Sequence, residues 1–141
     1  AYAESLERRG VTVHRLARLV RPLQPSADVA AFRELRRVLG AVRPDLLSAH
    51  SSKAGLLGRL AGRSLGVPTL FTAHGWAFTD GVSPREAAFY RLAERAAAPL
   101  GPKIITVSEY DRALALAHRV ARPDKLVAVH NGMPDLDARL R

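Results

Sequence analysis

Along the chain, short apolar runs alternate with stretches whose apolar residues recur every three to four positions, the pattern of strands alternating with amphipathic helices. Tyr2 and Leu6 stand at helical spacing in a first helix, and Gly10 terminates it. Val11 to Leu16 alternates apolar with polar residues and predicts a strand, continuing irregularly toward Val20 with His14 turned outward. The prolines of Arg21-Pro22-Leu23-Gln24-Pro25-Ser26 mark a loop. From Asp28 to Leu39 an apolar stripe of Val29, Phe32, Leu35, Val38 and Leu39, with Arg33, Arg36 and Arg37 on its wetter side, predicts a helix packed on a sheet. Pro44-Asp45 breaks that helix, and Leu46 to His50 reads as a short buried strand.

The next stretch has polar and glycine residues that make little sense as core filling. Ser51-Ser52 follows His50 directly and suits a helix cap. Gly55, Gly58 and Gly62 share one face of the ensuing helix, each costing roughly 1 kcal/mol against alanine, so a strand or a ligand approaches that face closely. Lys53 lies at the helix start, where the dipole disfavours a cation by roughly 0.3–1 kcal/mol, and this points to an anion beside it. Gly66 and Pro68 end the helix, and Thr69 to Ala73 forms a second apolar strand delivering His74-Gly75-Trp76 to its carboxyl end. Ser83, Pro84 and Glu86 spell a capping box for a helix to Ala98, with Ala87, Ala88, Tyr90, Leu92 and Ala96 on its packing face. Glu94 reads as a surface ion pair with Arg91 or Arg95. Lys103 to Val107 is a third strand, Ser108 with Asp111 caps a helix through Val120, Leu126 to His130 is a fourth strand, and Asn131-Gly132 makes a turn. Residues 1–134 thus read as one domain, with 135–141 a tail or the start of a linker.

This alternation predicts an α/β fold, a doubly wound, mostly parallel sheet with helices on both faces. Ligands of such sheets bind at the carboxyl ends of the strands, which places His50 to Lys53, His74 to Trp76, Ser108 and His130 to Gly132 on one rim. Each has a plainer role: His74 bonding a loop carbonyl, Lys53 solvated, Ser51, Ser52 and Ser108 as caps, Asn131-Gly132 as a turn, and Trp76 and Phe78 as core or rim aromatics rather than ligand-stacking platforms.

Composition narrows the chemistry. The chain has 141 residues, 48% of them hydrophobic, enough for one core. Its 22 basic and 13 acidic residues give a net charge of +9. The basic residues are scattered arginines rather than a cluster, so a solvated surface, or attraction to an anionic membrane, fits better than nucleic-acid binding. Without cysteine there is no disulfide, thiolate metal site or thiol catalysis, and the five histidines lack zinc-site spacing. Phosphate-loop, nucleophile-elbow and dinucleotide fingerprints are absent, and Asp80 with Glu86 makes a poor glycosidase pair in a loop and a cap. No signal peptide or membrane span is visible, which points to the cytoplasm.

Four phrases, HSSKAGLLGRLAG, VPTLFTAHGWAF, IITVSEYDR and VAVHNGMP, occur in an order that resembles the acceptor-side domain of retaining glycosyltransferases of family 4, which have the GT-B fold. The resemblance spans about Pro44 to Pro134, with His130-Asn131-Gly132 standing where the family commonly has P-N-G. It implies half of an enzyme that moves a sugar from a nucleotide-sugar to a sugar or lipid-linked sugar, with no metal and no further cofactor. His74 would touch the donor sugar, and His50, Ser51, Ser52, Lys53, Gly75, Trp76, Ser108, Asn131 and Gly132 would line the substrates. The partner domain and the family's first strand are missing from these residues, so residues 1–141 alone are expected to be inactive. A non-catalytic α/β binding module and a sugar-nucleotide epimerase of the same fold remain open beside this reading.

Overall fold

The computed structural model describes residues 2–20, 22–79 and 81–132. Its elements run α1 (Tyr2–Glu7), α2 (Pro25–Val42), β1 (Leu47–His50), α3 (Ser52–Leu65), β2 (Thr69–Ala73), α4 (Pro84–Ala97), β3 (Ile104–Thr106), α5 (Glu109–Ala117) and β4 (Leu126–Ala128). The four strands pair in parallel in the order β1-β2-β3-β4. This is the α/β, parallel-sheet architecture expected. Neighbouring parallel strands need a crossover, and α3, α4 and α5 supply three of them.

The core lies where the register aligns Phe71 with Ile104 and Ile104 with Leu126. All three are buried, and Ala73, Trp76, Phe78, Ala87, Ala98, Ala115 and Val120 pack around them. Burying a ring such as that of Phe71 stabilises the fold by roughly 1.5–3 kcal/mol. Glycines let α3 sit close on this face. A Cβ at Gly55 would fall 2.4 Å from the Phe71 ring, and one at Gly62 2.1 Å from Thr69 Oγ1, so the sheet, not a ligand, approaches the glycine stripe. On the alternate face Ser48, Leu70, Ile105 and Val127 are half-buried or exposed. Strands in sequential order with crossovers of one hand carry their helices to one side. The crossover helices α3, α4 and α5 therefore lie on the face of Phe71, Ile104 and Leu126.

Several local expectations change. Val11 to Leu16 is irregular rather than a strand, because no sheet edge pairs with it; the amides of Ala17 and Arg18 instead donate to the Glu34 carboxylate of α2. Helix α2 begins three residues earlier than expected, since Pro25 fits the first helical position, and its main neighbour is α3 rather than the sheet. Among the described residues strand β1 stands at the edge of the sheet, and only its Ala49 is buried. Helix α4 has the expected capping box, but it buries Ala87, Glu94 and Ala97 and leaves Ala88, Leu92 and Ala96 exposed. Helix α5 stops at Ala117. Asn131 and Gly132 are exposed and irregular rather than a turn. The proposed tail from Met133 and the domain boundary at 134 lie outside the described residues, as does Asp80.

Candidate functional site

Parallel pairing puts the carboxyl ends of β1 and β2 side by side, with His50 opposite Thr72 and His74 just beyond the end of β2. The two imidazoles meet there. His50 Nδ1 and His74 Nε2 are 2.9 Å apart, and the ring centroids 5.2 Å apart. Ser48, two residues before His50 and so on the same side of the strand, places its Oγ 3.2 Å from His50 Nε2. The result is a linear chain, Ser48–His50–His74, on the open face of the sheet. A histidine pair bonds only when one ring offers a bare nitrogen to the N–H of the other. With Nε2 engaged, Nδ1 of the exposed His74 has no hydrogen-bond partner among the described residues. Gly75 follows with φ 142°, a backbone region that favours glycine, and lets the chain turn away from the rim.

The amino end of α3 completes this rim. Ser51 occupies its N-cap position at φ 66° and ψ 151°, and its side chain makes no cap hydrogen bond. The expected Ser51-Ser52 cap is thus not formed. Serine in this region costs about 1–3 kcal/mol. What the strain achieves is positional: it turns the chain sharply from His50 into α3, whose first-turn amides Ser51 leaves uncapped beside the histidines.

Lys53 departs from expectation. The anion that its place at a helix start implied lies within the chain: its ammonium pairs with Asp28 of α2 and donates to the carbonyls of Val20, at 2.8 Å, and of Pro22. All three donors are spent, so Lys53 ties α3 to α2 and the preceding loop rather than facing a substrate. The Lys53 ammonium beside Asp28, with help from the Gln24 amide, holds the Asp28 carboxyl below its ordinary range. Trp76 is also withdrawn from the rim. It is buried, stacks on Phe78 at 5.4 Å and donates its indole N–H to the Asp111 carbonyl at 2.9 Å. Ser108 is engaged as the cap of α5, accepting from the Asp111 amide at 3.0 Å. The structure therefore brings together His50, His74, Gly75, Ser51 and Ser52, while Lys53, Trp76 and Ser108 do structural work.

Sequence reasoning missed an ion pair below this rim. Glu94 bonds neither Arg91 nor Arg95; it is buried and takes Arg59 Nη2 at 2.8 Å. Arg59, 1% exposed, also donates from Nε to the Gly55 carbonyl and lays its guanidinium 4.3 Å over the Phe71 ring. A readable signal existed. Arg59 is four residues after Gly55 and three before Gly62, on the stripe that faces the sheet. Ser48 was missed as well, though its spacing of two from His50 put both side chains on one side.

Residues 1–132 match the family described as Glycosyl transferase 4-like domain. Among curated proteins, the UDP-Gal:alpha-D-GlcNAc-diphosphoundecaprenol alpha-1,3-galactosyltransferase of Escherichia coli is 29% identical over 116 residues, covering 82% of this chain and 30% of that protein. EpsD of Bacillus subtilis (strain 168), which carries a glycosyltransferase assignment, is 30% identical over 110 residues, covering 74% of this chain and 29% of that protein. The chain thus spans about a third or less of the length of the relatives it matches. In fold it resembles MurG of Acinetobacter baumannii, with a TM-score of 0.60 over 98% of this chain and 35% of that one, at 13% identity. The paired strand ends, the glycine-faced helix between them and a family match running from the first residue to Gly132 agree, and the chain belongs to the glycosyl transferase 4-like domain family.

Proposed function

We propose that these residues form the acceptor-side part of a retaining glycosyltransferase that moves a sugar from a nucleotide-sugar to a sugar or lipid-linked sugar. The observation that carries the reading is the Ser48–His50–His74 chain at the carboxyl ends of adjacent parallel strands, beside the uncapped start of α3. In the proposed reaction the bond from the sugar's anomeric carbon to the departing diphosphate breaks. A bond to the acceptor oxygen forms on the same face, and the acceptor hydroxyl gives up its proton to the leaving phosphate. His74 Nδ1 contacts a hydroxyl of the donor sugar and fixes its orientation, and His50 holds that ring in place. The α3 amides face a negatively charged group of a substrate. No metal takes part in this scheme, and the nucleotide is bound elsewhere in the polypeptide.

A lipid-linked acceptor is supported by the diphosphoundecaprenol-linked substrate in the name of the Escherichia coli relative. Outward-facing Phe89 and Leu92 on α4, 57% and 65% exposed beside Arg85, suit peripheral contact with an anionic membrane from the cytoplasmic side. No helix among the described residues is long and apolar enough to cross a membrane.

The test is turnover by the full-length polypeptide across a panel of nucleotide-sugars with a lipid-linked sugar acceptor. His74→Ala is expected to lower kcat/KM by about 100-fold or more. Unchanged kcat/KM in that variant would refute the role, and an inverted anomeric configuration in the product would refute retention.

A further inference from the structure

Strand β1 carries Ser48 and His50 on its exposed side with the buried Ala49 between them, and pairing with β2 fixes their spacing. The Ser48 side chain has one hydrogen-bond partner among the described residues, His50 Nε2 at 3.2 Å. The other nitrogen of that ring meets His74 Nε2 at 2.9 Å with the centroids 5.2 Å apart, nearly the widest separation that a bond of that length permits, so the contact is close to straight. A neutral imidazole carries one N–H and one bare nitrogen, and the proton positions along the chain are therefore linked. If Ser48 donates to His50 Nε2, His50 holds its proton on Nδ1 and donates it to His74 Nε2, and His74 keeps its own proton on Nδ1. If His50 instead donates to Ser48, His74 donates to His50 and its Nδ1 is bare. The serine end favours the first arrangement, because a bare imidazole nitrogen is far more basic than a hydroxyl oxygen and the hydroxyl can turn its O–H toward it.

We infer that Ser48 is a positioning residue: by donating to His50 Nε2 it sets both imidazole tautomers and leaves His74 with an Nδ1–H that donates to an oxygen of the substrate. Ser48 touches no reacting atom and acts on His74 through the His50 ring. The inference rests on the proposed contact between His74 and the donor sugar, and it adds the direction of that hydrogen bond. The sugar hydroxyl accepts, and its own proton stays free for another partner.

The test is nitrogen NMR of the full-length polypeptide labelled at histidine, at about pH 8.5 where imidazoles are neutral, with His74→Ala to assign the His74 signals and steady-state kinetics alongside. His74 is expected as the Nδ1–H tautomer in the parent. Ser48→Ala should shift it toward the Nε2–H tautomer and lower kcat/KM about fivefold. Ser48→Thr, which keeps the hydroxyl on a side chain suited to a strand, should restore both. His74 found as the Nε2–H tautomer in the parent overturns the inference, as does a His74 tautomer that Ser48→Ala leaves unchanged. So does full kcat/KM in Ser48→Ala where His74→Ala has lost activity. The tautomer is read without substrate, so a Ser48-dependent Nδ1–H tautomer beside unchanged kcat/KM in His74→Ala would refute the proposed sugar contact while upholding the control of His74 by Ser48.

Discussion

Replacing Glu94 by leucine isolates what holds α4 against α3. Glutamate and leucine have similar size, so the change leaves little cavity and mainly deletes the carboxylate that takes Arg59 Nη2 at 2.8 Å. Arg59, at 1% exposure, would keep only the Gly55 carbonyl and the Phe71 ring as partners, with a full positive charge enclosed. Removing one partner of such a buried pair costs about 3–5 kcal/mol. A solvent-exposed pair with Arg91 or Arg95 would be worth about 0–1 kcal/mol, so the two arrangements differ by several-fold in a measurable quantity. Arg59→Met combined with Glu94→Leu removes both charges and should return stability to within about 1 kcal/mol of the parent, or above it. The assay is urea unfolding of the four members of the cycle. With slopes of about 1–3 kcal/mol/M, the single variant should lower the midpoint by one to several molar while the double variant barely moves it. A Glu94→Leu cost under about 1 kcal/mol, or a double variant no better than the single, would refute the claim that this pair is enclosed and mutually dependent.

Four further outcomes follow from the contacts. His50→Ala should lower kcat/KM by about 10- to 100-fold through loss of His74 orientation, mostly in kcat, in steady-state assays of the full-length polypeptide. Gly62→Ala forces a Cβ to 2.1 Å from Thr69 Oγ1 and 2.8 Å from the Val67 carbonyl, and should destabilise by about 1–3 kcal/mol; Gly40→Ala on open α2 surface should stabilise by about 0.5–1 kcal/mol, both read by thermal unfolding. The Asp28 carboxyl is held below its ordinary range by Lys53, so its contribution is present above about pH 4 and is lost as pH falls through the folded value. Asp28→Asn should therefore lower stability near neutrality and flatten the acid limb of a stability–pH profile, and an unchanged limb would contradict the pairing.

The strands and the crossovers were legible because their signals are local. Phe71, Ile104 and Leu126 sit in short apolar runs bounded by proline, glycine and polar residues, and such runs read as strands wherever they occur. Val11 to Leu16 carries a similar signal yet pairs with neither edge of the sheet, and the Ala17 and Arg18 amides that follow it are held by the Glu34 carboxylate of α2 instead. The packing face of α4 misled for a related reason. Its alanines and Leu92 suggested one stripe, but a helix turns whichever face its neighbour can complete, and Arg59 on α3 completes the one bearing Glu94.

At the site, topology carried more than side-chain type. That His50 and His74 would share an edge followed from two parallel strands ending in histidine, and their direct bond at 2.9 Å makes the pair a single unit. Lys53 and Trp76 shared that edge in sequence, yet each found a partner that no local window contains: Asp28 lies 25 residues before Lys53, and the carbonyl that takes the Trp76 indole belongs to Asp111, 35 residues on. Long-range satisfaction is what separates a polar residue that waits for a ligand from one that has finished its work in the fold. By that criterion His74 Nδ1 on the rim, like the uncapped first-turn amides of α3 beside it, is still without a protein partner among the described residues. His74 is therefore the side chain on which substitution should change binding more than it changes folding.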